Sequence, residues 1–145
     1  MQEFIEKTIK EAGKEILGMF GKVDVHYTKQ TLHDVVTKAD LASQAIIVNA
    51  IKKHHPDHGI IGEEEGLDHQ SHDDYVWYID PLDGTRNFST RVPIFGINIG
   101  LAHKGDVILG AVYLPATDEF CFAEKGKGAF LNGKKMQCSE KKEWE

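Results

Sequence analysis

From Phe95 to Met136 the chain is a succession of short apolar runs cut by turn residues, and that succession leaves few folds open. Phe95, Ile97, Ile99 and Leu101 alternate with Gly96, Asn98, Gly100 and Ala102, which predicts a strand with one bulky face and one small face, the latter suited to close approach by a helix. Lys104-Gly105-Asp106 turns the chain into Val107 to Tyr113, and Pro115 to Asp118 turns it again into Glu119 to Ala123. Ala129-Phe130-Leu131 and Lys134-Lys135-Met136 then flank Asn132-Gly133, the strongest short hairpin signal in the sequence. Strands joined by connections this short run antiparallel, because a parallel pair needs a longer crossover. The segment therefore reads as an antiparallel meander.

Two helical patterns precede it. Ile5, Ile9, Ala12, Ile16 and Phe20 recur at helical spacing with Lys and Glu between them, marking one amphipathic helix from Gln2 to about Phe20. Val23 to Thr28 alternates like an edge strand, and Asp34-Val35-Val36-Thr37 is placed to pair with it across Lys29 to His33. Asp40 opens a second helical pattern, with Leu41, Ala45 and Val48 as one stripe and Ile47 and Ile51 beside it, stopped by His54-His55-Pro56. A helix N-cap accounts for Asp40 as well as a catalytic role does.

Gly59-Ile60-Ile61-Gly62 reads as a short strand that delivers Glu63-Glu64-Glu65 at its end. An acidic triplet is usually a solvated surface, but Glu63 emerges directly from the apolar run and can be held by it. Residues 66 to 74 are polar and His-rich, a surface loop by composition. His54, His55, His58, His69 and His72 fall in this region without the spacing of a defined zinc motif or an obviously buried element. Cys121 and Cys138 match neither a metal motif nor a disulfide framework and are read as free thiols.

At 145 residues the chain suits one domain, burying roughly 70% of its unfolded surface. Hydrophobic content of 41% and charged content of 28% argue against disorder. A net charge of −6 argues against general binding to nucleic acid or a membrane surface, both of which call for a basic face. No run approaches the ~18 apolar residues of a transmembrane helix, and Met1 to Lys7 lacks the order of a signal peptide, so a cytoplasmic protein is the simplest reading.

The chemistry concentrates in Ile79-Asp80-Pro81-Leu82-Asp83-Gly84-Thr85. Tyr75 to Ile79 is aromatic and β-branched, as a buried strand is, and Pro81 has no N–H for a ladder, so the strand is expected to end near Asp80. Asp83 or Thr85 is suited to cap a short helix through Arg86-Asn87-Phe88. Two carboxylates, a carbonyl and a helix start then converge, a set that suits a hard divalent cation such as Mg²⁺ facing a phosphate. The same residue types also make an ordinary turn with acidic caps, and the types alone leave both readings open.

Taken with Gly62-Glu63-Glu64, the stretch Trp77 to Phe88 closely resembles the inositol monophosphatase family of magnesium-dependent, lithium-sensitive phosphomonoesterases, whose members carry GEE and WIIDPIDGTTNF-like segments. The resemblance takes in Asp34 to Thr37, Asp40 and Lys125 to Gly133, so it spans nearly the whole chain. It implies a layered α+β sandwich in which this half supplies an N-terminal helix pair packed on a largely antiparallel sheet. It implies that Glu63, Asp80 and the Leu82 carbonyl hold one metal, and that Asp80 and Asp83 share a second. Asp40, Glu63 and Thr85 would orient and activate the attacking water, and the amides of Gly84 and Thr85, beside Asp83, would bind the phosphate.

By the same resemblance the cofactor is Mg²⁺, two ions or more, with Mn²⁺ able to substitute and lithium inhibiting. The substrate is a small phosphorylated polyol or sugar, and a full-length form is expected to be a homodimer. Asn87-Phe88 is closer to the inositol branch than to the phosphoadenosine branch. Family members are longer, and their second half supplies a further aspartate in a WDxAAG-like segment. Here Trp77 and Trp144 are the only tryptophans and neither precedes an aspartate, so the chain is expected to be the N-terminal, metal-binding half of the fold. A non-catalytic metal- or phosphate-binding remnant, or a truncated gene product, is the alternative.

Overall fold

The computed structural model describes residues 1–22, 38–62 and 74–140. The expected hairpin over residues 23–37, the acidic triplet, most of the His-rich loop and the end of the charged tail lie outside the described residues. The first helix, α1, spans Gln2–Met19 and buries Ile5, Ile9, Ala12 and Ile16, the stripe its periodicity predicts. Gly13 is on the same face, where an added Cβ would run into the Tyr113 ring, so the helix backbone lies directly on that side chain. Phe20 packs beyond the helix end on Phe88 and Phe95, with ring centroids 5.4 and 5.0 Å away.

The second helix, α2, spans Lys38–His54, so Asp40 is its third residue and not its cap. Its inward face also differs from the expected stripe. Ala39, Asp40, Ser43, Gln44, Ile47, Val48 and Ile51 are buried, whereas Leu41 is 53% exposed and Ala45 faces solvent. Three polar residues thus occupy a face that an apolar pattern would have filled.

Among the described residues seven strands form one sheet, in an order that follows the chain: β1 (Gly59–Gly62), β2 (Tyr75–Asp83), β3 (Gly96–His103), β4 (Asp106–Leu114), β5 (Glu119–Glu124), β6 (Gly128–Leu131) and β7 (Lys134–Lys135). β1 runs parallel to β2, and every other neighbouring pair is antiparallel, as the meander demanded. A five-residue helix, α3 (Thr85–Ser89), lies between β2 and β3. Asn132 and Gly133 both take positive φ at the β6–β7 turn, the conformation that their hairpin signal calls for.

The helices cover one face of this sheet. Trp77 and Ile79 of β2, Ile97, Ile99 and Leu101 of β3, Leu109 and Ala111 of β4, and Phe120 and Phe122 of β5 meet the isoleucines of α1 and α2 in a single core. Each such side chain contributes about 1.5–3 kcal/mol when fully buried, so this face is the main source of stability. The opposite face carries rows of small residues in register, Gly100 beside Gly110, Ala123 and Ala129. Both long helices of the described chain lie on the bulky face, and the small face expected to admit a helix is open, forming a groove of about 390 Å³ that includes Gly100, Gly110, Ala123 and Met136.

At the end of the sheet where β2 begins, four rings stack in a column. His55 lies 4.8 Å from His58, His58 lies 4.8 Å from Tyr75, and Tyr75 lies 4.1 Å from His103. The fully buried Trp77 donates its Nε1–H to His58 Nδ1 at 3.0 Å. His55 and His58 are half-buried in this packing, although the sequence put neither on an obviously buried element. No described helix is long and apolar enough to cross a membrane.

Candidate active site

Strand β2 does not stop at Asp80. It continues through Pro81 and Leu82 to Asp83, and the register explains how a proline is tolerated. Asp80 pairs with Asn98 and Asp83 pairs with Gly96, so three steps along β2 match two along β3. That is a β-bulge, which leaves one residue outside the ladder and is a place where a missing N–H costs little. Residues three apart on a regular strand point to opposite faces. The extra residue restores the parity, so Asp80 and Asp83 share the open face, while Pro81 and Leu82 are buried.

The side-chain contacts agree. The Asn98 Nδ2 group donates to Asp80 Oδ2 at 3.4 Å and to Asp83 Oδ2 at 3.2 Å, so both carboxylates lie around one amide nitrogen. Asp80 and Asn98 form one end of a shallow groove of about 320 Å³ that runs past Gly100 and Tyr78 to Ile61 and Gly62.

The bulge is fixed from behind. Ser43 of α2 donates its hydroxyl to the Pro81 carbonyl at 2.7 Å in a fully buried bond, which explains a polar residue on the inward face of that helix. Asp40 is three residues earlier on the same face and 3% exposed, so it is buried on the side of α2 that packs against β2. Thr85 donates its hydroxyl to the Leu82 carbonyl at 2.9 Å.

Gly84 caps α3 in the left-handed region, at φ 83° and ψ 32°, and no side-chain capping bond is made, so neither Asp83 nor Thr85 serves as the expected cap. A Cβ on Gly84 would stand 3.0 Å from the Ile94 carbonyl oxygen, so glycine is required there by both conformation and space. Asn87 closes the following loop through Nδ2 to the Ile94 carbonyl at 2.7 Å. Freed from capping, the Asp83 carboxylate is left to the open face.

Of the residues singled out from sequence, Asp80, Leu82, Asp83, Gly84 and Thr85 are consecutive or nearly so around this bulge, and Asp40 is buried on α2. Glu63 lies outside the described residues; β1 ends at Gly62 in register with Ile79, the neighbour of Asp80. Among the described residues no group of three or more His, Cys, Asp or Glu is placed to hold a metal ion, so the described donors at the bulge are the two aspartates and the Leu82 carbonyl, whose second lone pair is not needed by Thr85. Such all-oxygen, anionic donors fit Mg²⁺ or Mn²⁺ and not a soft transition metal. Asn98 and Ser43 were not identified from the sequence. The only trace of Asn98 is a polar side chain inside a strand, where asparagine is disfavoured.

Comparison with known proteins bears on the whole chain. Residues 1–145 match the family described as the inositol monophosphatase family. A Thermotoga maritima protein named fructose-1,6-bisphosphatase/inositol-1-monophosphatase is 38% identical over 138 residues, covering 95% of this chain and 53% of that protein. Nus factor SuhB of Haemophilus influenzae is also 38% identical over 138 residues, with 94% and 52% covered. Among solved structures, a Thermotoga maritima IMPase superposes with a TM-score of 0.87 at 38% identity, covering 96% of this chain and 54% of that one. The extragenic suppressor protein suhB of Bartonella henselae superposes with a TM-score of 0.88 at 29% identity, over 97% and 55%. The chain thus spans about half the length of the relatives it matches. In sequence and in the layering of two helices on a largely antiparallel sheet, it belongs to the inositol monophosphatase family.

Proposed function

We propose that this chain is the metal- and phosphate-binding half of a Mg²⁺-dependent phosphomonoesterase acting on a small sugar or inositol phosphate. The observation that carries the reading is the bulge, which turns Asp80 and Asp83 to the same open face beside the Leu82 carbonyl and the start of α3. Asp80, Asp83, the Leu82 carbonyl and Glu63 are the groups that would hold the cations. When bound, Mg²⁺ supplies an acidified water and charge neutralisation for the leaving alkoxide.

The chain's own residues do the positioning. The Thr85 hydroxyl spends its one hydrogen on the Leu82 carbonyl, so its oxygen is left as an acceptor that orients the attacking water. Asp40 and Glu63 complete that orientation. Gly84 and Thr85 turn the first amides of α3 toward the phosphate, where unpaired N–H groups favour an anion. Water oxygen bonds to phosphorus, the ester P–O bond breaks, and the alkoxide leaves with a proton as the free polyol. The products are the alcohol and inorganic phosphate.

Titration of this chain with Mn²⁺ or Mg²⁺, alongside phosphate release from an inositol monophosphate, tests the reading. Asp80→Asn and Asp83→Asn should each weaken Mn²⁺ binding by more than about 100-fold, because loss of an outer partner already costs about 10–100-fold. In a longer form that turns over substrate, both variants should lose nearly all activity. Unimpaired activity in both would sink the assignment. Cation binding without phosphate release would instead support a second reading, a non-catalytic metal- or phosphate-binding module.

A further inference from the structure

We propose that Asn98 is a positioning residue for the cation site, holding Asp80 and Asp83 at binding separation before any cation arrives. The inference rests on the reading that these two aspartates are cation ligands. Asn98 is the cross-strand partner of Asp80 in the β2–β3 ladder, on the open face. Its Nδ2 carries two hydrogens, and its two acceptors belong to different carboxylates, Asp80 at 3.4 Å and Asp83 at 3.2 Å. With acidic acceptors on both sides, only the amide NH₂ and not the carbonyl oxygen of Asn98 can face the pair.

The need for such a group follows from the bulge. Bringing two carboxylates to one face gathers like charges, which repel and rotate apart unless something between them carries positive character. Basic side chains would do so, but a formal charge would compete with the incoming cation. The partial charge of an amide does not: it holds one oxygen of each carboxylate and can be given up or retained as the metal binds. At the long end of hydrogen-bond length, each contact is weak, and the effect comes from one rigid side chain setting two ligands together. Asn98 sits between Ile97 and Ile99, both buried in the core, so its own position is fixed by the strand.

Mn²⁺ titration of the metal-free chain, read by calorimetry and by the electron paramagnetic resonance signal of the free ion, tests this directly. Asn98→Leu keeps the volume and removes both hydrogens. It should weaken Mn²⁺ binding by about 10–100-fold while the metal-free melting temperature stays the same. Asn98→Gln, which keeps both hydrogens, should recover part of the loss, and a merely structural role would not produce that order. If the leucine variant is itself destabilised, Asn98→Ser, with one hydrogen on a shorter arm, takes its place in the comparison. Wild type and Asn98→Leu binding Mn²⁺ equally, with Asp80→Asn abolishing it, would overturn the role of Asn98 and leave the metal reading intact. Failure of the wild type to bind Mn²⁺ at all would overturn the metal reading itself.

Discussion

Asp80 and Asp83 lie around one amide nitrogen, so two like charges share a small space and repel, less where water screens the exposed Asp83. A site that accepts this cost in the empty state gains it back as affinity for a divalent cation. Gly84 is the residue next to them that the backbone cannot do without. Gly84→Ala forces a side chain into a positive-φ position with a carbonyl oxygen 3.0 Å away, and should destabilise the chain by more than about 1 kcal/mol. Urea unfolding checks this, and an unchanged midpoint would show that α3 can shift without cost. At this scale the sequence was legible where chemistry and spacing coincide, as in Asp80, Asp83 and Gly84. It was not legible at Asn98, because which residue faces Asp80 depends on a register that the bulge offsets, and nothing in the residue types announces the bulge.

Among the elements, α2 departs furthest from its pattern and is also the one that braces the site. A reading by apolar period selects Leu41 and Ala45, yet the helix turns Asp40, Ser43 and Gln44 inward, because Ser43 has a carbonyl of the bulge to bond. Local hydrophobicity was overridden by a hydrogen bond to a strand distant in sequence. The strand limits failed for a related reason, since Pro81 ends a regular ladder but not a bulged one.

The far end of α2 supplies a pH dependence. Burial first, then the neighbouring His58, His54 and N-terminal amine, lower the pKa of His55 below 6.5. The folded state therefore binds fewer protons than the unfolded one, so stability is intact above pH 6.5 and is lost as pH falls below that value toward the depressed pKa of the folded state. The urea midpoint should drop between pH 7 and pH 5, and His55→Phe, which keeps a ring in the column, should drop less. Parallel curves for the two proteins would rule His55 out as a contributor.

Among the described residues, one face of the sheet is covered and the other is open. Helices cover the bulky side of the sheet, while Tyr78, Val112 and Met136 stand 46%, 39% and 43% exposed on or beside the other, among rows of glycine and alanine. Apolar surface of this kind draws partners or promotes association. The chain should therefore bind hydrophobic dyes and self-associate with rising concentration, and Val112→Lys should reduce both. Light scattering from a monodisperse monomer without dye binding would contradict this. The meander was legible throughout, since turn residues and alternation sit close together in sequence. Which face the N-terminal helices cover was not, because alternation shows that the two faces differ and not which one this pair takes; the bulky one removes more apolar area from water.

The order of strands has a kinetic meaning. Each antiparallel strand pairs with the one just before it, so most of the sheet is reached by closing short loops, which costs little chain entropy and proceeds quickly. Asp80, Asn98 and Asp83 all belong to one such pairing, β2 with β3. That pairing closes across residues 84–95, the longest connection among the antiparallel strands, so the two carboxylates are brought together at a higher entropic cost than the outer turns, and a cation bridging them, as proposed, would help to hold it closed.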